Sequence, residues 1–335
     1  MRLFKRFLSE QMAMLKKPRP EVAIPACPLV LGAANMFAYL RHPTLAWQFR
    51  RRLGYFPNVA MPRTYHEKVH WRKVFDRNPT IALLSDKLEA RKAFKTACPE
   101  LHLPELLWIG DRPRDIPVEL LDRRAVIKTN HGSGFNYFTG TGNRDFDGMC
   151  SSVNGWLGHY PYGRKHGEWG YFNIRRRVYV EELIEDATGN KPLMMNFHTF
   201  SGVPVMSWVA QQFANHPRQA ANFDRDGSRY SQGGESHDAL PKDFELPAEY
   251  FQAVRHTSVL GRHIDYARID FLLCDGKLYG SEFTFFTLGG LVRYHEDVLS
   301  RLTAAWDLRK SWYFQNAAHG WRKSYASCVS RKLAR

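Results

Sequence analysis

The amino-acid sequence predicts a mixed α+β fold whose second half is built from antiparallel hairpins. Three segments carry that expectation. ARIDFLLCDGKLYGSEFTFF places two strand-like runs around Asp275-Gly276, the sharpest hairpin signal in the chain. PLMMNFHTFSGVPVMSWVAQQF repeats the pattern around Ser201-Gly202. Between them, AEYFQAVRHTSVLGRHI has the spacing of an amphipathic helix, with Phe251, Val254, Val259 and Leu260 expected inside.

The first half reads as more helical. The apolar-rich stretch 24–40 is interrupted by Pro25, Pro28, Gly32 and Asn35 and is shorter than the ~20 apolar residues of a membrane span. It predicts a buried helix over 30–40. RHPTLAWQFRRRLGYFPN reads as a helix ended at Pro57-Asn58. Val69, Trp71, Val74 and Phe75 mark another helix, interrupted over 76–79. Ser85 is then the expected cap of a helix carrying Lys87. LPELLWIG, RAVIKTN and VYVEELI are short strand candidates. HGSGFNYFTGTG reads as a glycine-rich loop or hairpin, 145–172 as helix and then loop, and the polar 215–247 as one long loop.

The chain has 335 residues, enough for two or three lobes, with 44% hydrophobic and 24% charged residues as in a soluble globular protein. Aromatics at 14% argue for a packed core and against disorder. The net charge of +15 attracts anions: nucleic acid, an anionic membrane or a phosphorylated substrate. No nucleic-acid-binding signature is present, so no specific nucleic acid is expected. Cys27, Cys98, Cys150, Cys274 and Cys328 are scattered, odd in number and never in a CxxC pair. They predict neither a disulfide framework nor a cysteine-rich zinc site, and a reducing, cytoplasmic compartment. The start of the chain lacks the pattern of a signal peptide. His216, His237, His256 and His263 lack the spacing of a zinc site.

Three constellations carry chemistry. In the first, a hairpin folds Glu282 back toward Asp270, and two carboxylates at short range call for a cation between them. Oxygen-only ligation suits Mg²⁺, usually shared with substrate phosphates. Arg268 shares a face with Asp270 by strand alternation, where it can stabilise a transferring phosphoryl group or an oxyanion. The plain alternative is an exposed hairpin with surface charges. In the second, Lys128 at a strand end precedes HGSGFNYFTGTG, whose Gly132 and Gly134 permit backbone N–H groups to approach phosphates. It is neither a Walker A loop nor a dinucleotide fingerprint, and a surface hairpin explains it equally well. In the third, VYVEELIED offers an apolar slot beside Glu181 and Glu182, with Leu183 and Ile184 following, which suits adenine and ribose; an edge strand running into an acidic turn is the alternative.

Taken in this order, the motifs resemble the ATP-grasp superfamily, and more closely the TupA-like ATP-grasp family found with bacterial cell-surface polysaccharide genes. The likeness covers roughly 61–310. PRTYHEKVHWRKVFDRNP matches that family's leading segment, SDKL its first nucleotide lysine (Lys87), and VIKTNHGSG its second (Lys128) with the flap. VEELIED falls at the adenine hinge, and ARIDFLL with GSEFTF matches the magnesium-binding hairpin. The resemblance implies two α+β lobes gripping ATP with a helical, basic N-terminal extension over 1–60, lobes over 61–180 and 181–310, and a basic tail over 311–335. It implies ATP and Mg²⁺ as cofactors. ATP would be held by Lys87, Lys128, His131, Gly132, Ser133, Gly134, Glu181, Glu182, Leu183, Ile184 and Asp186, the metal by Asp270, Glu282 and Thr284, with Arg268 catalytic. Two departures stand out: Thr284 replaces a usual asparagine ligand, and Asn196 stands where a phosphate-binding lysine is expected, a role Lys191 could take over.

The resemblance further implies an ATP-dependent carboxylate–amine ligase working through an acylphosphate on a polysaccharide-related or lipid-linked anionic substrate. Alternatives are a phosphotransferase acting on a sugar hydroxyl, or a non-catalytic or glycosyltransferase-like protein with a degenerate site. Leu3, Phe4, Phe7, Leu8, Met12 and Leu15, interleaved with Arg2, Lys5, Arg6, Lys16 and Lys17, form a basic amphipathic pattern. Such a pattern suits weak, salt-sensitive contact with an anionic membrane at the inner face.

Overall fold

The computed structural model describes residues 26–333 apart from 141, 143, 159–161, 187–189, 213–216 and 233–237. The amphipathic start, the end of the basic tail, His216 and His237 lie outside the described residues.

Helices α1 (Ala26–Arg41), α2 (Pro43–Leu53), α3 (Tyr65–Val74), α4 (Pro79–Ser85) and α5 (Lys87–Ala97) open the chain. A four-stranded antiparallel sheet follows, with strands β1 (Leu106–Gly110), β2 (Ala125–Thr129), β3 (Asn136–Phe138) and β4 (Val178–Glu182) in the order β1-β4-β2-β3. Helix α6 (Phe146–Gly158) packs on it and closes a small core around Ile127, Met149, Val153 and Val180.

The larger sheet contains β5 (Leu193–Phe200), β6 (Val203–Gln211), β7 (Gln219–Phe223), β8 (Arg229–Gln232), β9 (Asp238–Ala239), β10 (Ala267–Cys274) and β11 (Lys277–Thr284). Its order is β11-β10-β5-β6-β7-β8, with β9 parallel to β7. Helices α7 (Glu249–Leu260), α8 (Glu296–Ala305), α9 (Trp312–Asn316) and α10 (Gly320–Leu333) complete the chain. Both expected hairpins form. Asp275 and Gly276 take φ values of 47° and 69°, the left-handed pair that a tight two-residue turn requires.

Helix α3 occupies the centre of the molecule, and every one of its residues is buried. Thr64 and Glu67 form a capping box at its start. Its charges are buried with partners. Arg72 donates to Asp265 at 2.8 Å and to the carbonyls of Tyr266 at 2.9 Å and Phe285 at 3.3 Å, gripping both open ends of the β10–β11 hairpin. Lys68 donates to the carbonyls of Thr303 and Trp306, satisfying the C-terminal end of α8.

Several expectations are corrected. Ser85 ends α4, its hydroxyl donating to the Ile81 carbonyl; Asp86 caps α5 by accepting from the Leu88 N–H. The long polar segment is not a single loop, because β7, β8 and β9 extend the large sheet within it. Helix α7 buries Tyr250, Ala253, Thr257 and Leu260, whereas Phe251 and Val259 are exposed; the choice of face depends on the sheet beneath, not on the apolar count. The β10–β11 hairpin is not a surface hairpin, since Ile269, Asp270, Phe271 and Phe283 are buried. Finally, Cys27 and Cys328 form a disulfide between α1 and α10, 301 residues apart in sequence, while Cys98, Cys150 and Cys274 are free and buried. Such a distant pairing leaves no local spacing for a sequence reading to find. No helix among the described residues is long and apolar enough to cross a membrane.

Candidate active site

A β-bulge sets the geometry of the carboxylate pair. From the turn, Cys274 opposes Lys277 and Phe271 opposes Gly280, a register that would bring Ser281 opposite Asp270. The ladder shifts between Asp270 and Phe271, so Glu282 opposes Asp270 and Thr284 opposes Arg268. All four side chains then share one face of the sheet.

Arg268 forks onto Asp270 at 2.7 and 2.5 Å, and it lies 3.2 Å from the Thr284 hydroxyl and 3.8 Å from Glu282. Burial pushes the Asp270 carboxyl up to about 6 against the opposing pull of Arg268. Burial also pushes Glu282 upward, but Lys87, Arg268 and Lys128 together outweigh it and hold the carboxyl below its ordinary value. The Thr284 hydroxyl is 3.4 Å from Glu282. Two carboxylates and a hydroxyl make an incomplete, oxygen-only ligand set; no group of three His, Cys, Asp or Glu residues suited to a metal exists among the described residues. That fits Mg²⁺, which keeps waters and shares ligands with phosphate, and does not fit a protein-caged zinc.

The two lysines come from different elements, Lys87 from α5, which packs on the hairpin through Phe94, and Lys128 from the small sheet. Lys87 opens α5; its ammonium sits 3.7 Å from Glu282 and donates to the Gly132 carbonyl. Burial pulls its pKa down, with Glu282 opposing. The start of α5 is tied to the flap, because Asn130 donates to Asp86 at 2.9 Å and accepts from the Lys87 N–H at 3.1 Å. Lys128 on β2 pairs with Glu181 on the neighbouring β4 at 2.5 Å, and Arg91 on α5 meets the same carboxylate at 2.9 Å. Gly132 has no room for a side chain, since a Cβ there would fall 2.5 Å from the Phe135 ring. His131 is buried and packs against Phe135, and Gly134 takes φ 77°. The second-lysine and glycine-rich segments thus form the floor and flap of one cleft.

Three adjoining cavities run along this face. One is lined by Lys87, Arg91, Lys128, Tyr179, Glu181 and Glu282. The next, about 300 Å³, is lined by Ser133, Tyr162, Glu168, Tyr171, Arg268, Glu282 and Thr284. The third, about 340 Å³, begins at Arg268 and extends over β5, β6 and β7. Glu282 borders the first two, and Arg268 with Leu288 borders the last two. Leu288 has φ 42°, a strained backbone for a branched side chain, on the wall between them.

Of the predicted site residues, the structure brings Lys87, Lys128, Ser133, Glu181, Arg268, Glu282 and Thr284 to the cavity walls, with Asp270 beside Arg268. Glu182 accepts from the Glu105 N–H, and Ile184 is buried just after β4. Leu183 donates its N–H to the Arg124 carbonyl, and Asp186 closes a local turn with Asn190. Asn196 lies opposite Asp270, but Lys191 reaches toward Gln212 and lines none of the three cavities, so it does not replace the expected lysine. Sequence reasoning missed Arg91, although its position one helical turn after Lys87 was a readable signal. Tyr162, Glu168 and Tyr171 carried no such signal, because a long connection brings them in.

A family model described as TupA-like ATPgrasp matches residues 67–301. Solved structures match at low similarity. One is the ATP-grasp ligase PsnB complexed with minimal precursor (11% identity, TM-score 0.37, covering 68% of this chain and 62% of that one). Others are a D-alanine–D-alanine ligase from Bacillus anthracis (17%, 0.35, 75% and 68%) and the macrocyclase MdnC bound with precursor peptide MdnA from Microcystis aeruginosa MRC (11%, 0.38, 69% and 62%). The chain thus spans about three fifths of the length of PsnB and MdnC, at 62% each. No curated protein matches. With the family match covering the lysines, the flap and the carboxylate hairpin alike, the chain belongs to the TupA-like ATP-grasp family.

Proposed function

We propose that this chain is an ATP- and Mg²⁺-dependent carboxylate–amine ligase acting in cell-surface polysaccharide biosynthesis. One observation carries the reading: Lys87, Lys128, Glu282 and Arg268, with Asp270 held against Arg268, line adjoining cavities that lead from the nucleotide cleft into a further cavity. Lys87 and Lys128 would neutralise phosphate oxygens. Asp270, Glu282 and Thr284 would hold Mg²⁺, which when bound polarises the phosphates. The substrate carboxylate attacks the γ-phosphorus and ADP leaves, forming an acylphosphate. An amine then attacks the carbonyl carbon, inorganic phosphate departs and the amine gives a proton to solvent. Arg268 at the cavity junction supports the tetrahedral oxyanion. The family resemblance supports the polysaccharide context, and use of ATP would suit a cytoplasmic enzyme.

The test is ADP release with candidate carboxylates and amines, supplied separately and together, followed by mass analysis for an amide. A ligase requires both for steady turnover. Turnover with a sugar alone, yielding a sugar phosphate, would replace this reading with phosphoryl transfer to a hydroxyl, for which the same cradle serves.

A further inference from the structure

The third cavity holds groups that the nucleotide chemistry leaves unused. The pairing register lays out a row across the sheet. Glu282 opposes Asp270, Asp270 opposes Asn196, Asn196 opposes Trp208 and Trp208 opposes Asn222. At ~4.8 Å per strand, the row runs about 19 Å from the carboxylate pair to β7. Arg218 stands just before β7, on the face of Asn222 by alternation, and it lines the same cavity.

Two polar atoms there are buried without partners among the described residues: Asn196 Oδ1 and Arg218 Nε. Asn196 is 6% exposed. An orphaned acceptor and an orphaned cationic donor in one cavity each leave a desolvation cost unmet, which a bound molecule can relieve. Among the described residues the lining contains two arginines, Arg218 and Arg268, and neither Asp nor Glu. Its remaining walls include Trp208, Met194 and Met206, apolar surface suited to the carbon body of a ligand.

Arg268 is engaged with Asp270 at the junction where the reacting carboxylate would lie, whereas Arg218 stands apart, just before β7. We propose that this cavity binds an acceptor bearing a second, non-reacting carboxylate. Arg218 holds that group, Asn196 accepts from a hydroxyl of the same molecule, and Trp208 covers its carbon face. The class is a hydroxylated dicarboxylic acid, such as an oxidised sugar. This deepens the proposed ligase reading, since it names the molecule whose other carboxylate meets Arg268.

The experiment is calorimetric binding to the full chain without nucleotide, using D-glucarate, D-glucuronate and D-glucose as probes. D-Glucarate should bind about tenfold more tightly than D-glucuronate, the increment of one charge-assisted contact, and D-glucose should not bind. Arg218→Gln should erase the preference for D-glucarate, with MgATP affinity measured alongside as a check on folding. Asn196→Leu should weaken both acids. The proposal is overturned if wild-type chain binds no D-glucarate, if it binds D-glucose equally well, or if Arg218→Gln keeps the preference. Because the readout needs no turnover, an absence of ligase activity would remove the reaction assignment while leaving the anion site intact.

Discussion

Lys87 Nζ lies 3.7 Å from Glu282 Oε2, so the first turn of α5 and the far strand of the β10–β11 hairpin meet at one charge pair. Neither element belongs to the small sheet that carries Lys128. The cleft is therefore assembled from the small sheet on one side and, on the other, from a helix and a hairpin that share one hydrophobic core through Phe94, Phe271 and Phe283.

Asp270→Asn and Glu282→Gln are expected to abolish Mg²⁺-dependent ATP turnover, measured as ADP release. Their stability costs should differ. Asp270 is buried against Arg268, and removing its charge leaves Glu282, 3.8 Å away, as the guanidinium's carboxylate partner, a loss of about 1.5–3 kcal/mol. Glu282, with its side chain 30% exposed, should cost under ~1 kcal/mol. Wild-type turnover in either variant would remove the metal assignment.

On the proposed role of its ammonium at the phosphates, Lys128→Ala should weaken ATP binding by about tenfold to a hundredfold and leave adenosine binding unchanged. Glu181 keeps Arg91 as its partner in that variant, so the cleft wall should persist. Equal losses for both ligands would point to a structural effect instead.

Arg72→Met tests the grip on the hairpin. Asp265 would keep the Trp306 indole as a hydrogen-bond donor but lose its buried countercharge. The expected cost is about 3–5 kcal/mol in urea unfolding, and ATP turnover should fall as the hairpin ends loosen. A loss below ~1 kcal/mol would show that the pair is replaceable by packing.

His198 gives a pH dependence. Burial first, and Arg268 second, pull its pKa from 6.5 down to about 3. Folding therefore keeps the ring neutral, while the unfolded chain binds a proton below 6.5. Its stabilising contribution is complete above pH 6.5 and is lost as pH falls toward 3. At pH 5 the deficit should be about 2 kcal/mol, and His198→Gln should remove that part of the slope. An unchanged slope in the variant would assign the acid sensitivity to other groups.

The Cys27–Cys328 disulfide predicts three titratable thiols in the denatured, unreduced chain and five after reduction. Cys328→Ser should cost about 2–4 kcal/mol. Five thiols before reduction would show that the pair is not bonded in solution.

Much of this was legible in the sequence because it is local. Asp275-Gly276 and Ser201-Gly202 define their turns by backbone chemistry, and alternation along a strand puts Arg268 and Asp270 on one face whatever lies around them. The order of motifs was enough to identify the family. Tertiary structure alone decided the rest. The bulge that sets Glu282 opposite Asp270 is one residue out of phase with the turn, and its position depends on packing that no local pattern encodes. The burial of α3, with Lys68, Arg72 and His66 inside, contradicts its polar composition because their partners lie about two hundred residues away. The face that α7 buries, the pairing of Cys27 with Cys328, and the convergence of Asn196 and Arg218 on one cavity likewise arise only once the chain is folded.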